Sequence, residues 1–381
     1  MTFPSIETPY YVCEEALLIK NLEILDDVQQ RSGAKIILAL KGFAMWSTFP
    51  LVAQYLKGCT ASGLHEATLA KDEFLKHNRR AEIHTYSPAF KDSEIESIAE
   101  VSDHIVFNSI NQMDKFLLKI KEINPKIHIS LRINPEVSAS PNDIYNPCTP
   151  FSRLGTTLEN IAQNPLLQLD GLNFHALCEQ NVDALEEVLE VFERNFSKYF
   201  KNLKYINFGG GHHITRKDYN IERLICIIKD FREKYNIDVY LEPGEAIGWE
   251  SGYLVSSVLD VFDNGMSVAI LDTSAEAHMP DTLSMPYRAE VRGAGEANEK
   301  RYTYRLGGNT CLAGDIMGDY SFDKPLEIGD KIVFEDQVHY TFVKSTTFNG
   351  IRLPSLVIKK IDEEFHIVKE FGYKEYKSRL S

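Results

Sequence analysis

The sequence predicts an α/β fold: a closed parallel (β/α)8 barrel followed by a second, C-terminal antiparallel β domain. Two observations predict it. Eight short β-branched apolar runs alternate with helix-patterned segments between Lys35 and Glu242, and beyond about Ile247 apolar residues instead alternate with polar ones between turn signals. Continuous apolar strands separated by helices are parallel strands buried on both faces, and eight such units fit a closed barrel, with an open doubly wound sheet as the alternative. Short alternation between turns is the pattern of hairpins.

The runs come in order. The first is Lys35 to Lys41, the second lies near Cys59 to Gly63, the third is Glu82 to Ser87 and the fourth His104 to Ser109. The fifth is Ile127 to Ile133, the sixth Gly171 to His175, the seventh Tyr205 to Phe208 ahead of Gly209-Gly210-Gly211, and the eighth Asp238 to Glu242. Asp183 to Tyr199 and Ile221 to Tyr235 carry the 3.6-residue periodicity of helices between them. In the second part, Tyr253 to Leu259 alternates, and Asp263-Asn264-Gly265, Ile328-Gly329-Asp330 and Phe348-Asn349-Gly350 mark turns. Thr8-Pro9-Tyr10-Tyr11-Val12 is strand-like and is assigned to the same domain. The expected boundaries are 14–246 for the barrel and 247–381, with 1–13, for the β domain.

Composition narrows the function class. Forty-one basic residues against 55 acidic ones give a net charge of −14, which argues against nucleic acid as the main partner and is compatible with a cationic ligand, although many cytoplasmic enzymes are equally acidic. No window reaches the ~18 consecutive apolar residues of a membrane span. The opening Met1-Thr2-Phe3-Pro4-Ser5-Ile6-Glu7 lacks a basic start and an apolar signal core, so a cytoplasmic protein is expected. Cys13, Cys59, Cys148, Cys178, Cys226 and Cys311 form no CxxC pair, which favours free thiols over a disulfide frame or a zinc site, and no metal is expected.

In a β/α barrel, chemistry sits at the C-terminal strand ends. Those ends read Lys41, Ser62, Ser87, Asn108, Arg132, His175, Gly209 to Gly211, and Glu242. A lysine closing an apolar strand is either a snorkelling surface residue or an amine desolvated in the mouth, where a lowered pKa lets it attack an aldehyde. Gly209-Gly210-Gly211 after strand seven is a flexible turn or a backbone cradle for phosphate. Glu242 is a structural acid or a carboxylate facing the mouth. His175 is an ordinary core histidine or a ring lying flat on an aromatic ligand.

Together these residues resemble the fold-III pyridoxal 5'-phosphate (PLP) enzymes, which include alanine racemase and the ornithine, arginine, diaminopimelate and carboxynorspermidine decarboxylases. Ala39-Leu40-Lys41 resembles the cofactor-lysine strand, Phe174-His175 the ring-stacking histidine, Gly209-Gly210-Gly211 the phosphate loop and Glu242-Pro243-Gly244 the pyridine-nitrogen acid. Gly308-Asn309-Thr310-Cys311 resembles the Gly-Pro-Thr-Cys motif of the decarboxylases. Tyr340-Thr341 with Thr347-Phe348-Asn349-Gly350 resembles their terminal element, whose tyrosine reaches the phosphate. The resemblance implies Lys41 as the residue joined to the cofactor aldehyde and Cys311 as proton donor at Cα. It also implies a homodimer with shared active sites, because the cysteine comes from the neighbouring subunit.

The departures narrow the substrate. Leu312 follows Cys311 where ornithine decarboxylases have Asp and diaminopimelate decarboxylases Glu, and Glu245 follows Glu-Pro-Gly where an Arg often binds phosphate. Leu177-Cys178-Glu179-Gln180, Glu245-Ala246, Cys311 to Asp315, and His278-Met279-Pro280 with Met285-Pro286-Tyr287-Arg288 are most similar to carboxynorspermidine decarboxylase. That resemblance implies decarboxylation of carboxynorspermidine or carboxyspermidine in polyamine biosynthesis. The distal ammonium groups of such a substrate need acceptors. Asp315 is the first candidate, against a turn-capping role, with Asp272, Glu276 and Asp281 behind it and Arg288 as a further substrate contact. Two alternatives stay open: another enzyme of the group, such as a diaminopimelate decarboxylase or a racemase, and a non-catalytic regulator. Such regulators usually lose the lysine or the cysteine, and this chain keeps Lys41 and Cys311.

Overall fold

The computed structural model describes residues 5–138, 140, 143–164, 168–285 and 287–381. Met1 to Pro4 of the N-terminal reading and Pro286 of the Met285 to Arg288 string lie outside the described residues. The chain divides into two compact units, 21–247 and 1–20 with 248–381. The first division falls inside the helix Glu15–Ser32, a few residues beyond the boundary expected at 13/14.

Strand β1 (Tyr10–Glu14) belongs to the second unit. The first unit carries β2 (Lys35–Ile36), β3 (Leu38–Ala39), β4 (Gly58–Ala61), β5 (Glu82–Ser87), β6 (His104–Phe107), β7 (His128–Arg132), β8 (Gly171–Asn173), β9 (Tyr205–Asn207) and β10 (Asp238–Leu241). All neighbours are parallel, in the order β2-β10-β9-β8-β7-β6-β5-β4-β3. The first predicted run is split into β2 and β3, which pair to opposite sides, with β10 and β4. Ile37 N–H donates to Leu241 O at 3.0 Å and Ala39 N–H to Pro243 O at 2.9 Å, which carries the ladder past the split and closes the ring.

The helices show why the periodicity was legible. In Ile221–Tyr235, Asn220 Oδ1 accepts from Arg223 N–H at 3.0 Å as the N-cap, and Asn236 ends the helix in the left-handed region at φ +52°. Leu224, Ile225, Ile227, Ile228 and Phe231 form its buried face. Each such side chain contributes about 1.5–3 kcal/mol on burial.

The barrel interior differs from the apolar layers usual in this architecture. His84 on β5 meets Tyr240 on β10, ring centroids 4.8 Å apart, and Tyr205 on β9 at 6.2 Å. These strands are not neighbours, so the rings meet across the lumen. Inward positions on the otherwise apolar β5, β9 and β10 therefore carry polar rings.

The second unit holds β1, β11 (Gly252–Asp263), β12 (Ser267–Leu271), β13 (Tyr302–Gly307), β14 (Ile316–Phe322), β15 (Lys331–Glu335), β16 (Ser355–Lys359) and β17 (Phe365–Lys369). Antiparallel pairs predominate, but β1–β16 and β12–β13 are parallel, so the sheet is mixed rather than purely antiparallel. Turn residues announce hairpins such as Asp263-Asn264-Gly265 between β11 and β12. They carry no signal for pairings between strands distant in sequence. Tyr10, Val12, Tyr253, Val255, Val333 and Val357 form the core of this sheet. The polar half of the β11 alternation is also inside: Ser256 Oγ and Ser257 N–H both donate to Asp272 Oδ1, at 2.7 and 2.9 Å. Among the described residues no helix is long and apolar enough to cross a membrane.

Candidate active site

The mouth of the barrel brings together Lys41, His175, Gly209 to Gly211 and Glu242. Lys41 follows β3, and its Nζ lies 3.4 Å from His175 Nε2. The side chain opens to the mouth, yet burial of the charge, followed by repulsion from Arg132, holds its pKa below the usual lysine value. Glu242, Glu66 and Cys178 pull it the other way. A lysine so placed gives up its proton more readily than a free one, which favours the uncharged amine that attack on a carbonyl requires. His175 is held neutral for related reasons: burial first, then the charges of Lys41 and Arg132. Its Nδ1 lies 3.1 Å from both the N–H and the carbonyl oxygen of Gly210, so either neutral tautomer finds a partner there.

Glu242 ends β10. Asn207 Nδ2 donates to its Oε1 at 2.7 Å, and Gly209 N–H donates to Asn207 Oδ1 at 2.8 Å. That second bond fixes which end of the amide faces the carboxylate. Asn207 is fully buried. It stands in the seventh run, but sequence reasoning did not single it out. The available signal was its position two residues before Gly209, on the inward face of its strand. Arg132 was noted only as a strand end. It donates to His175 O at 3.1 Å and lies over the Tyr86 ring at 4.8 Å, a cation placed against the lysine.

The glycine run is a rigid element. A Cβ on Gly210 would lie 2.2 Å from Glu242 O and one on Gly211 1.9 Å from Leu177 O, and Gly209 and Gly211 have φ of +72° and +85°. Only glycine fits between the ends of β8 and β10. Glu245, which stands where an Arg was looked for, accepts a bond from or shares a proton with His213: Nε2 to Oε2 is 2.9 Å, and His213 is buried. The negative charge therefore sits beside an imidazole, not alone at the glycine loop.

In the other unit, one carboxylate organises the cysteine loop. Asp315 is 5% exposed. Its Oδ1 accepts from Ser274 Oγ (3.0 Å), Ala275 N–H (2.7 Å) and Glu276 N–H (3.3 Å), and its Oδ2 from Thr310 N–H (3.1 Å) and Thr310 Oγ1 (2.6 Å). Its acceptor capacity is filled by the protein, so the geometry favours the capping role over that of ammonium acceptor. A Cβ on Gly308 would press on this carboxylate at 2.3 Å, which accounts for that glycine. Cys311 is exposed, and its N–H donates to Asn349 Oδ1 at 2.7 Å, which ties the cysteine motif to the Phe348-Asn349-Gly350 turn.

The remaining candidates separate. Asp272 accepts from Ser256, Ser257 and Thr8, the last at 2.5 Å. Asp281 pairs with Lys344 at 2.6 Å. Arg288 lies over the Tyr320 ring at 3.9 Å, and its guanidinium donates to Glu296 and to the carbonyls of Asp319 and Gly295. These three groups are engaged inside the fold. Glu276 is different: its carboxylate accepts no protein hydrogen bond among the described residues, while its helix, Ala275–His278, is pinned by Asp315. Tyr340 opens the short helix Tyr340–Val343, with Lys344 Nζ 5.2 Å from its ring centroid.

The mouth offers an amine for an aldehyde, a carboxylate oriented by an amide, an imidazole and a glycine cradle. That donor set fits the PLP implied by the sequence resemblance. The Gly211 N–H has no protein acceptor among the described residues and is available to an anion.

Comparisons with known proteins follow the same line. The family model described as pyridoxal-dependent decarboxylase, C-terminal sheet domain, matches residues 10–337. The chain is 52% identical over 390 residues to a carboxynorspermidine/carboxyspermidine decarboxylase of Campylobacter jejuni subsp. jejuni, covering 100% of both. It is 42% identical to a carboxyaminopropylagmatine decarboxylase of Synechocystis sp., covering 99% of this chain and 96% of the other. A crystal structure of Campylobacter jejuni carboxynorspermidine decarboxylase complexed with norspermidine superposes with a TM-score of 0.90 at 51% identity, covering 98% of this chain and 100% of that one.

Proposed function

The chain belongs to the pyridoxal-dependent decarboxylases, and from that premise we propose that it decarboxylates carboxynorspermidine or carboxyspermidine to the corresponding triamine. The observation that carries the proposal is the mouth cluster: the Lys41 amine 3.4 Å from His175, with Glu242 held by Asn207 in the same strand-end layer. The full-length match at 52% identity supports the substrate class. We further propose that the enzyme works in the cytoplasm.

Bound PLP supplies an electron sink for the carbanion left when carbon dioxide departs. The protein's own residues do the rest. Lys41 supplies the amine, whose charge burial and Arg132 disfavour. Glu242 would hold a proton at the pyridine nitrogen, with Asn207 orienting its carboxylate. His175, a neutral imidazole, would take the ring-stacking role that the sequence resemblance implies and would add no competing charge. The Gly209 to Gly211 backbone would hold the phosphate, and Tyr340 would join it as the sequence resemblance implies. Cys311 gives the proton to Cα, and its exposed thiol leaves it free to approach a substrate. Glu276 accepts the distal ammonium, the role first expected of Asp315, because among the four acids considered only its carboxylate is free of protein donors. Cys311 comes from a second copy of the chain, so the active unit is a homodimer with shared sites.

The test is carbon dioxide release from carboxynorspermidine, carboxyspermidine, carboxyaminopropylagmatine and diaminopimelate. The first two should exceed diaminopimelate in kcat/KM by at least about a hundredfold, since a missing charge partner is worth more than a methylene. A preference for diaminopimelate overturns the proposal, and a preference for carboxyaminopropylagmatine moves it to the second relative's chemistry. For the dimer, inactive Lys41→Ala and Cys311→Ala proteins are mixed. Random pairing should restore up to about a quarter of the wild-type activity through one intact shared site per heterodimer. No recovery after exchange of subunits sinks the shared site.

A further inference from the structure

At the end of the barrel opposite Lys41, where β5, β6 and β7 begin, a second cluster has no part in this chemistry. Glu82 and His84 stand two residues apart on β5, so both face inward. His104 opens β6 and is the register partner of His84 across a parallel pair. Both imidazoles are buried, at 0% and 3% exposure. His84 Nε2 lies 3.5 Å and His104 Nε2 3.7 Å from the same oxygen, Glu82 Oε2. The three ligand atoms lie within 4.8 Å of one another. His84 Nε2, one of the two nitrogens facing Glu82, is buried and makes no hydrogen bond beyond that long approach to Oε2; Nδ1 of both rings is likewise buried without a partner. Buried polar nitrogens are ordinarily satisfied, and a fully buried Nε2 that faces a carboxylate without a good hydrogen bond calls for a missing partner between them.

We propose that Glu82, His84 and His104 bind one divalent transition-metal ion, with Zn2+ as the best fit. Two imidazoles and a carboxylate are a zinc donor set, and tetrahedral bonds of ~2.0–2.1 Å place ligand atoms roughly 3.3 Å apart, close to the spacings seen. The rings now lie face to face, 3.8 Å between centroids and 11° from parallel. One imidazole must turn about its Cβ–Cγ bond for both Nε2 lone pairs to point at one ion. Glu82 is held ready, since Tyr240 OH donates to Oε2 at 2.5 Å. The competing cation, Lys35, is 3.5 Å from Glu82 Oε1 and has a second acid, Asp238, at 3.6 Å to which it can move. Glu82 is 30% exposed, which gives the ion a way in and leaves the fourth position to water. The ion would be structural: it cross-links two adjacent strands at the base. Sequence spacing did not reveal it because the ligands come from two strands.

The experiment uses the full chain with its cofactor retained, stripped by a chelator and dialysed. Zn2+ is titrated in competition with a chromophoric chelator and by calorimetry. One equivalent per chain is expected, and His84→Asn and His104→Asn should each weaken it about a hundredfold or more. No stoichiometric uptake, or equal uptake by both variants, overturns the site. Should the variants misfold, wild-type crystals soaked in Zn2+ decide by anomalous scattering at the zinc edge. A peak between Glu82, His84 and His104 is expected, and a peak only elsewhere, or none, overturns the assignment.

Discussion

The two ends of one barrel differ in how their polar groups are satisfied. At the mouth, Lys41, His175 and Gly210 are linked by hydrogen bonds, as are Gly209, Asn207 and Glu242, and the two chains meet in adjacent glycines. At the base, His84 and His104 stack with three buried ring nitrogens lacking a good hydrogen bond. The mouth is preorganised: each reactive side chain is oriented by a partner that is itself oriented. The base holds ligands in register but leaves them unfulfilled. Polar residues inside a barrel are thus of two kinds, and the state of their partners tells them apart. The donor set of the mouth fits the pyridoxal cofactor of the family, and the base is the proposed cation site.

The largest effect should separate the ends outright. Lys41→Ala should lower turnover by at least ~10³-fold and lose the covalently held chromophore, because it removes the nucleophile. His84→Asn should keep turnover within about threefold, since the N-terminal face of a barrel serves stability. Comparable losses in both variants would abolish the distinction. Borohydride trapping of the cofactor on wild type and its absence in Lys41→Ala give a readout apart from rate.

Within the mouth the effects should be graded. Glu242→Gln keeps the hydrogen bond but removes the charge that holds a proton on the ring, so kcat should fall ~10²-fold or more with cofactor content unchanged. Asn207→Ala leaves the acid but frees its orientation, and about tenfold is expected, the scale of losses for residues that orient another group. A larger loss for Asn207→Ala than for Glu242→Gln would reverse the roles assigned to the two.

Asp315 extends the comparison into the β unit as a carboxylate with no capacity left. Asp315→Asn replaces one acceptor oxygen by a donor facing N–H and O–H groups. About 2–3 kcal/mol of stability should be lost, seen as a lower denaturation midpoint with unchanged slope. If KM rises with stability intact, the ammonium-acceptor role returns to Asp315 from Glu276.

Much of this was legible in the sequence for identifiable reasons. Parallel strands buried on both faces write themselves as apolar runs, and Ile221–Tyr235 was bounded correctly because its caps and buried face agree. The mouth residues were legible because strand ends converge in a closed barrel. What was hidden depended on contacts between distant segments. The parallel pairing of β1 with β16 has no local signal. The filled acceptors of Asp315 and the engaged states of Asp272 and Arg288 are invisible without neighbours. Asn207 was passed over because its role rests on two bonds to other residues.

The smallest expected effect concerns pH. Burial holds His212 neutral, with its pKa lowered to about 3, and His278 likewise, lowered to about 4, from the ordinary 6.5. His212 Nδ1 lies 2.7 Å from Tyr219 OH beside the glycine run, and His278 Nδ1 2.9 Å from Thr273 Oγ1. Below pH 6.5 the unfolded chain takes up a proton at each position and the folded chain does not, so stability falls as pH falls. The decline levels off only near the folded values of about 4 and about 3. Each group contributes up to ~1.4 kcal/mol per pH unit in that window. Urea midpoints of wild type and His212→Asn, taken from pH 7 to 5 with chelator present so that the base is metal-free in both, measure the share of one mouth histidine. The variant should show the shallower dependence by about one proton. An unchanged slope would mean that His212 is protonated in the folded protein, and the neutral, preorganised mouth would have to be redrawn around a cation next to the phosphate loop.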